Sequence, residues 1–186
     1  MNISGFTNKI EVLESLELEK TKPEFAQELF CLIQRNVEHL STWLPWVPLV
    51  KSVVDTTRFI ENRMQSETSR LGTEYSIKYK KALIGQVGLN DIDSYNRKLS
   101  LGFWLSKSHE GRGLMAACIR RLVKEVYSNT SVNRIEITCN PKNTRSISLA
   151  VGLGFRLEGR LREVEFLNGT LQDHLVFAML KRDWLA

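Results

Sequence analysis

Residues that cross-link a chain or ligate metal are scarce in this sequence. Cys31, Cys118 and Cys139 are odd in number, far apart and set in apolar patterns, and His39, His109 and His174 are just as dispersed. Such spacing argues against a disulfide framework and offers no ligand set for zinc; buried thiols and no metal are the expectation. Long apolar runs are missing too. Nowhere is there an uninterrupted stretch long enough to span a bilayer, and the N-terminus has no basic region followed by an apolar one. A cytoplasmic protein with no membrane partner is expected. Basic runs of five or more, helix-turn-helix and RNA-binding signatures, repeats and linkers are also absent, so the net charge of +5 does not require nucleic acid.

What is present is one domain of alternating patterns. At 186 residues, 42% of them hydrophobic and 25% charged, the chain can bury one sizeable core, and residues 1–186 read as a single unit. Leu13 to Leu18 alternates as a short strand. Thr21-Lys-Pro-Glu24 has the form of a capping box with proline in the first turn, opening a helix whose face is Phe25, Leu29, Leu32 and Ile33 and which ends near Asn36. Prolines break the segment Leu40 to Pro48, where Trp43 and Trp46 are either core plugs or the wall of a pocket. A second helix is expected from about Ser52 to Glu67. Tyr75 to Tyr79 and Ala82 to Leu89 read as strands around Lys80-Lys81. A turn over Asn90 to Asn96 leads into a third strand, Leu99 to Leu105, and the three form an antiparallel meander.

The segment from Gly102 to Val126 organises the rest. A strand end runs through Ser-Lys-Ser-His-Glu-Gly-Arg-Gly into a helix with a wide apolar stripe, Leu114, Cys118, Leu122 and Val126, flanked by Met115, Ile119 and Val123. Gly111 and Gly113 let the backbone turn tightly and bring free N–H groups, at the positive end of a helix dipole, towards an anion. Taken alone, the same pattern also describes an ordinary strand-to-helix connection. It is neither the dinucleotide fingerprint, for want of a third glycine, nor a Walker loop, for want of Gly-Lys-Ser/Thr. Ile135, Ile137 and Cys139 mark a further strand, parallel or nearly so to the one before the helix. Asn143 is a good N-cap for a helix through Ile147, Leu149 and Val151, stopped at Gly152 and Gly154. Val164 to Leu167 and Leu171 to Leu180 form a hairpin about Asn168-Gly169. The fold class is mixed α/β, a mixed sheet with helices on its faces.

Leu101-Gly-Phe-Trp-Leu-Ser followed by Ser108-His-Glu-Gly-Arg-Gly-Leu-Met resembles the acetyl-CoA signature of GNAT-family N-acetyltransferases. Cys139-Asn-Pro-Lys-Asn-Thr-Arg-Ser through Gly-Leu-Gly-Phe155, Glu158-Gly-Arg and Glu165-Phe-Leu-Asn168 are similar to the ribosomal-protein branch of that family, RimJ and RimL. The likeness runs from about Ser15 to Leu180. Ser108 stands where the family usually has Gln or Arg, which removes a side-chain contact to the pyrophosphate and leaves the backbone cradle. The resemblance implies the GNAT fold, a mostly antiparallel central sheet with a splayed parallel strand pair and helices on both faces. It implies acetyl-CoA as donor, with backbone groups of Trp104 and Leu105 along the pantetheine arm, Glu110, Gly111, Arg112, Gly113, Leu114 and Met115 at the pyrophosphate, and Asn143 on the pantetheine.

For the chemistry, the resemblance implies Glu165 as the base and Ser146 as the group at the leaving sulfur. It also implies a primary-amine acceptor, above all the α-amine of a (ribosomal) protein, held against Trp43 and Trp46. Read from the residues alone, Glu165 is better taken as a solvated strand glutamate, and Ser146 is equally a first-turn serine bonded to backbone. Two other readings stay open: a small-amine acetyltransferase for a polyamine or aminoglycoside, which calls for an acidic pocket, and a non-catalytic CoA- or RNA-binding module. A homo-oligomer is compatible with each.

Overall fold

The structure is a computed structural model and describes residues 7–68 and 72–184. The described residues form one eight-stranded sheet: β1 (Lys9–Leu13), β2 (Leu16–Lys20), β3 (Thr73–Tyr79), β4 (Ala82–Asp93), β5 (Lys98–Leu105), β6 (Arg134–Cys139), β7 (Arg156–Leu167) and β8 (Thr170–Leu180). Their order is β1-β2-β3-β4-β5-β6-β8-β7, and only the β5–β6 pair is parallel. The α-helices among the described residues are α1 (Ala26–Arg35), α2 (Val37–Ser41), α3 (Val53–Thr68), α4 (Leu114–Asn129), α5 (Thr144–Gly152) and α6 (Lys181–Trp184).

Turn chemistry sets much of the register. Lys80 and Lys81 (φ 50° and 70°) close the β3–β4 hairpin, and Asn168 and Gly169 (φ 51° and 80°) close β7–β8. Two successive positive φ values match the twist of the flanking strands. The expected strand over Leu13 to Leu18 is instead the bend of a hairpin at Glu14-Ser15, with Ser15 at φ 62°. Strand β4 runs on to Asp93, into the segment expected to be a turn.

The capping-box reading of Thr21 fails in its first half. Pro23 does open the helical segment, as a short 3₁₀ turn, but no side chain caps it. Thr21 is buried, and its hydroxyl pairs with Ser76 Oγ at 2.9 Å and accepts from Gln86 Nε2 at 3.2 Å. A tertiary network on the sheet has taken the hydroxyl that local sequence offered to the helix.

Two cores flank the sheet. One lies under α4, whose buried stripe of Leu114, Met115, Cys118, Ile119, Leu122, Val123, Val126 and Tyr127 packs on Leu18, Ile77, Val87, Leu99 and Ile135. The other gathers α1 and α3 on the opposite face around Leu29, Ile33, Ile60 and Trp104. Alternation along β4 therefore sends Val87 and Leu89 to the first core and Gln86, Gly88 and Asn90 to the second side, where Asn90 meets Arg63 of α3.

Strand β7 starts at Arg156, well before the expected Val164. It is an edge strand exposed along almost its whole length, so no apolar alternation announces it. Glu165 and Leu167 do turn inward, while Val164 and Phe166 face out. Glu163 does not share their face by simple alternation. It sits at φ 53° where the β7–β8 register shifts, and its N–H donates to Asp173 Oδ1 at 2.9 Å.

Candidate active site

Strands β5 and β6 pair only at Lys98–Ser100 with Arg134–Glu136. Beyond Ser100 they part. Strand β5 continues against β4 as far as Leu105, and β6 continues against β8 as far as Cys139, leaving a V-shaped gap in mid-sheet. Trp104 turns its side chain to the α3 side and Leu105 to the α4 core, so backbone is what these two residues offer to the gap.

At the open end of the V the chain makes the glycine turn. Ser106 is buried and donates its N–H to Ile84 O at 2.8 Å, while its hydroxyl meets His109 Nδ1 at 2.7 Å. Burial, aided by the Arg112 charge, holds the His109 pKa below its ordinary value. Gly111 (φ 73°) and Gly113 (φ 72°) follow, and a Cβ on either would meet nothing within 4 Å. Helix α4 starts at once with no side-chain cap on its first-turn N–H groups. Leu114 and Met115 bury their side chains in the core, and Arg112 is exposed. Glu110 is committed elsewhere: its carboxylate pairs with His39 Nε2 at 3.1 Å and Arg145 Nη1 at 2.6 Å.

Asn143 caps α5 as expected, accepting from Ser146 N–H at 3.1 Å. Ser146 stands in the first turn of α5, and its hydroxyl makes no hydrogen bond among the described residues. Glu165 is half-buried, with Oε2 at 3.1 Å from His174 Nε2 across the hairpin. Its strand partner Gln172 accepts from Asn140 Nδ2 at 3.1 Å, just past β6, and Asn168 at the hairpin tip reaches Ser41 O at 3.4 Å, at the end of α2. The carboxylate is thus carried on a hairpin tied to both the β6 end and the segment bearing the two tryptophans.

On the α3 face beside β5 lies a cavity of about 190 Å³. Trp46, Phe59 and Trp104 wall it; the Trp46 and Phe59 planes lie within 10° of parallel with centroids 6.4 Å apart, and Trp104 is tilted by 60° to Trp46. Trp43 is half-buried and does not line it. The floor is polar: Arg63, Glu74, Gln86 and Asn90. Arg63 Nη2 donates to Asn90 Oδ1 at 2.6 Å and pairs with Glu74 Oε2 at 3.3 Å, while Arg63 Nε is buried with no partner among the described residues. Burial pushes the Glu74 pKa up to about 7 against the pull of Arg63. Sequence reasoning missed this floor. Its signal was the polar, inward-facing set Gln86, Gly88 and Asn90 alternating with Val87 and Leu89 in a central strand. Among the described residues no group of three or more His, Cys, Asp or Glu is placed to hold a metal.

A parallel pair that splays beside an uncapped glycine turn is a place for a long anionic cofactor with an extended arm. A family model for the acetyltransferase (GNAT) domain matches residues 15–156. The chain belongs to the GNAT family. This GNAT protein is 30% identical to the ribosomal-protein-serine acetyltransferase of Escherichia coli K12 over 174 residues, covering 94% of this chain and 97% of that one. Among solved structures it is similar to RimL, a ribosomal L7/L12 α-N-protein acetyltransferase in complex with coenzyme A, with a TM-score of 0.90 and 26% identity over 92% and 97% of the two chains. It is also similar to the microcin C7 self-immunity acetyltransferase MccE in complex with acetyl-CoA and AMP, with a TM-score of 0.89 and 30% identity over 96% and 99%. The GNAT chain is an N-acetyltransferase, and its acetyl donor is acetyl-CoA.

Proposed function

We propose that this enzyme acetylates an α-amine, foremost the N-terminus of a protein, by direct attack of the amine on the thioester. The carrying observation is the V between β5 and β6, which runs from the glycine turn to an apex beside the aromatic cavity. Backbone N–H groups from Glu110 to Met115, with the Arg112 side chain, suit the pyrophosphate. Trp104, Leu105 and Asn143 line the path of the pantetheine arm. An α-amine of pKa about 7.7 to 8.0 is roughly 10% neutral at pH 7, whereas a lysine amine near 10.4 is about 0.04% neutral, so the α-amine is the readier nucleophile. Glu165 takes its proton, directly or through water, and the unbonded Ser146 hydroxyl hydrogen-bonds the departing sulfur. Trp46 lines the acceptor wall. With such a substrate we place the protein in the cytoplasm. A polyamine acceptor has less support, since the cavity carries one carboxylate and one guanidinium rather than an acidic cluster.

A second reading, an α-amine attached to a nucleotide, is favoured by one observation. Trp46, Phe59 and Trp104 together wall the cavity, an aromatic lining that suits a planar base, and MccE was solved with AMP. Release of CoA thiol, followed with seryl and alanyl N-terminal peptides, seryl-sulfamoyl-adenosine and spermidine, separates the readings. Turnover of the peptides supports the first and of the adenosine conjugate alone the second. Spermidine as sole acceptor overturns both.

A further inference from the structure

Glu74 has no part in the transfer as described above, yet its position is specific. Glu74, Gly88 and Gly102 are successive partners across β3, β4 and β5. A Cβ on Gly88 would lie 3.0 Å from Glu74 Cδ and 3.2 Å from its Oε1, so the carboxylate lies flat over Gly88 and points along the row. Gly102, at the end of that row, stands two residues past Ser100, the last β5 residue paired with β6. Gly88 therefore lets the carboxylate lie across β4 and face the cavity on the α3 side of the V, which Gly102 also lines with Asn90 Nδ2 packed over it. The next row, Ser76, Gln86 and Trp104, is closed by its own hydrogen bonds to Thr21 and between Trp104 Nε1 and Gln86.

Arg63, the other charged side chain of the cavity, does not fully compensate Glu74. Its Nη2 is drawn mainly to Asn90 Oδ1 at 2.6 Å, with Leu89 O and Glu74 Oε2 each at 3.3 Å. A buried carboxylate with one long ionic contact is costly to keep charged, and a cation arriving in the cavity would supply its second partner. The attacking amine is such a cation before it loses its proton.

We propose that Glu74 is the acceptor-anchoring residue, its carboxylate receiving the ammonium of the incoming α-amine in the cavity beside the V while Arg63 holds it over Gly88. The inference rests on the acetyl transfer described above, with the acceptor in this cavity. Proton removal stays with Glu165. One carboxylate matches one ammonium, which selects a monocationic acceptor end over a polycation.

The test uses Glu74→Gln, which keeps the shape and removes the charge, and the double variant Arg63→Gln with Glu74→Gln, which leaves no buried charge unpaired. KM and kcat are measured at pH 7.5 with the seryl and alanyl peptides and seryl-sulfamoyl-adenosine, and acetyl-CoA affinity by calorimetry. KM for the accepted substrate should rise at least tenfold in both variants, kcat should fall less, and the acetyl-CoA Kd should stay within twofold. The wild-type advantage should shrink as pH rises and the amine loses its charge. An acceptor KM within twofold of wild type in a folded variant, or an acetyl-CoA affinity lost in step with KM, overturns the proposal. So does failure of both variants to fold, which assigns Glu74 to structure alone. If the wild type turns over none of the acceptors, the α-amine reading itself falls, and this inference with it.

Discussion

Glu165 and His174 face each other across the β7–β8 hairpin, Oε2 to Nε2 at 3.1 Å, both half-buried at the end of the sheet where β5 and β6 have parted. The imidazole fixes the carboxylate rather than leaving it to solvent. Glu165→Gln preserves that shape and removes the base, so kcat should fall on the order of 10² to 10⁴ fold, with part of the loss recovered as pH rises and more of the amine is already neutral. Acetyl-CoA affinity should barely change. Near wild-type turnover at pH 7 would reassign proton removal to solvent or to another carboxylate.

Gly113 combines a left-handed φ of 72° with open space where a side chain would project. Gly113→Val is therefore strained by its backbone and places methyl groups in front of the α4 N–H groups. Acetyl-CoA binding should weaken at least tenfold, about 1.4 kcal/mol. Gly111→Ala, with a smaller group, should do less. Calorimetry on the folded variants decides, and an unchanged Kd for Gly113→Val would remove the cradle from the cofactor site.

Burial sets the cysteine chemistry. It pushes the Cys118 and Cys139 thiols up to about 12 and about 11, while Cys31 on α1 is only partly covered. Thiolate is the reactive form, so at pH 8 a maleimide should label Cys31 promptly and the other two slowly until denaturant is added. Mass mapping of the native labelled protein reads this directly. Equal labelling of Cys139 would mean that the β6 end at the V is far more open than its burial indicates.

Local signals were legible where one residue's conformation or one face's burial decides the outcome. The α4 stripe, the Asn168-Gly169 turn, the Asn143 cap and the glycine turn are all of that kind. Illegible features depend on register between distant segments. Glu74, Gln86, Asn90 and Arg63 become a cavity floor only once β3, β4 and α3 are in place. Thr21 carries a cap sequence and is captured by Ser76, 55 residues away. Strand β7 hid for the opposite reason: exposed on both faces, it had no pattern to show.

Trp46 and Trp43 looked alike in sequence, three residues apart in one proline-rich segment, but only Trp46 reaches the cavity. Trp46 meets Phe59 and Trp104 there, so Trp46→Ala removes a wall of the acceptor cavity while leaving the backbone cradle untouched. The acceptor KM should rise more than the acetyl-CoA KM, because only the acceptor would touch that ring. Phe59→Ala should act in the same direction and Trp43→Ala more weakly. With a nucleotide-linked acceptor, loss of either parallel ring should cost more than with a peptide, since base stacking is worth about 1 to 3 kcal/mol. If Trp46→Ala instead lowers the melting temperature with both KM values intact in the folded fraction, the indole is core packing and the acceptor enters elsewhere along the V.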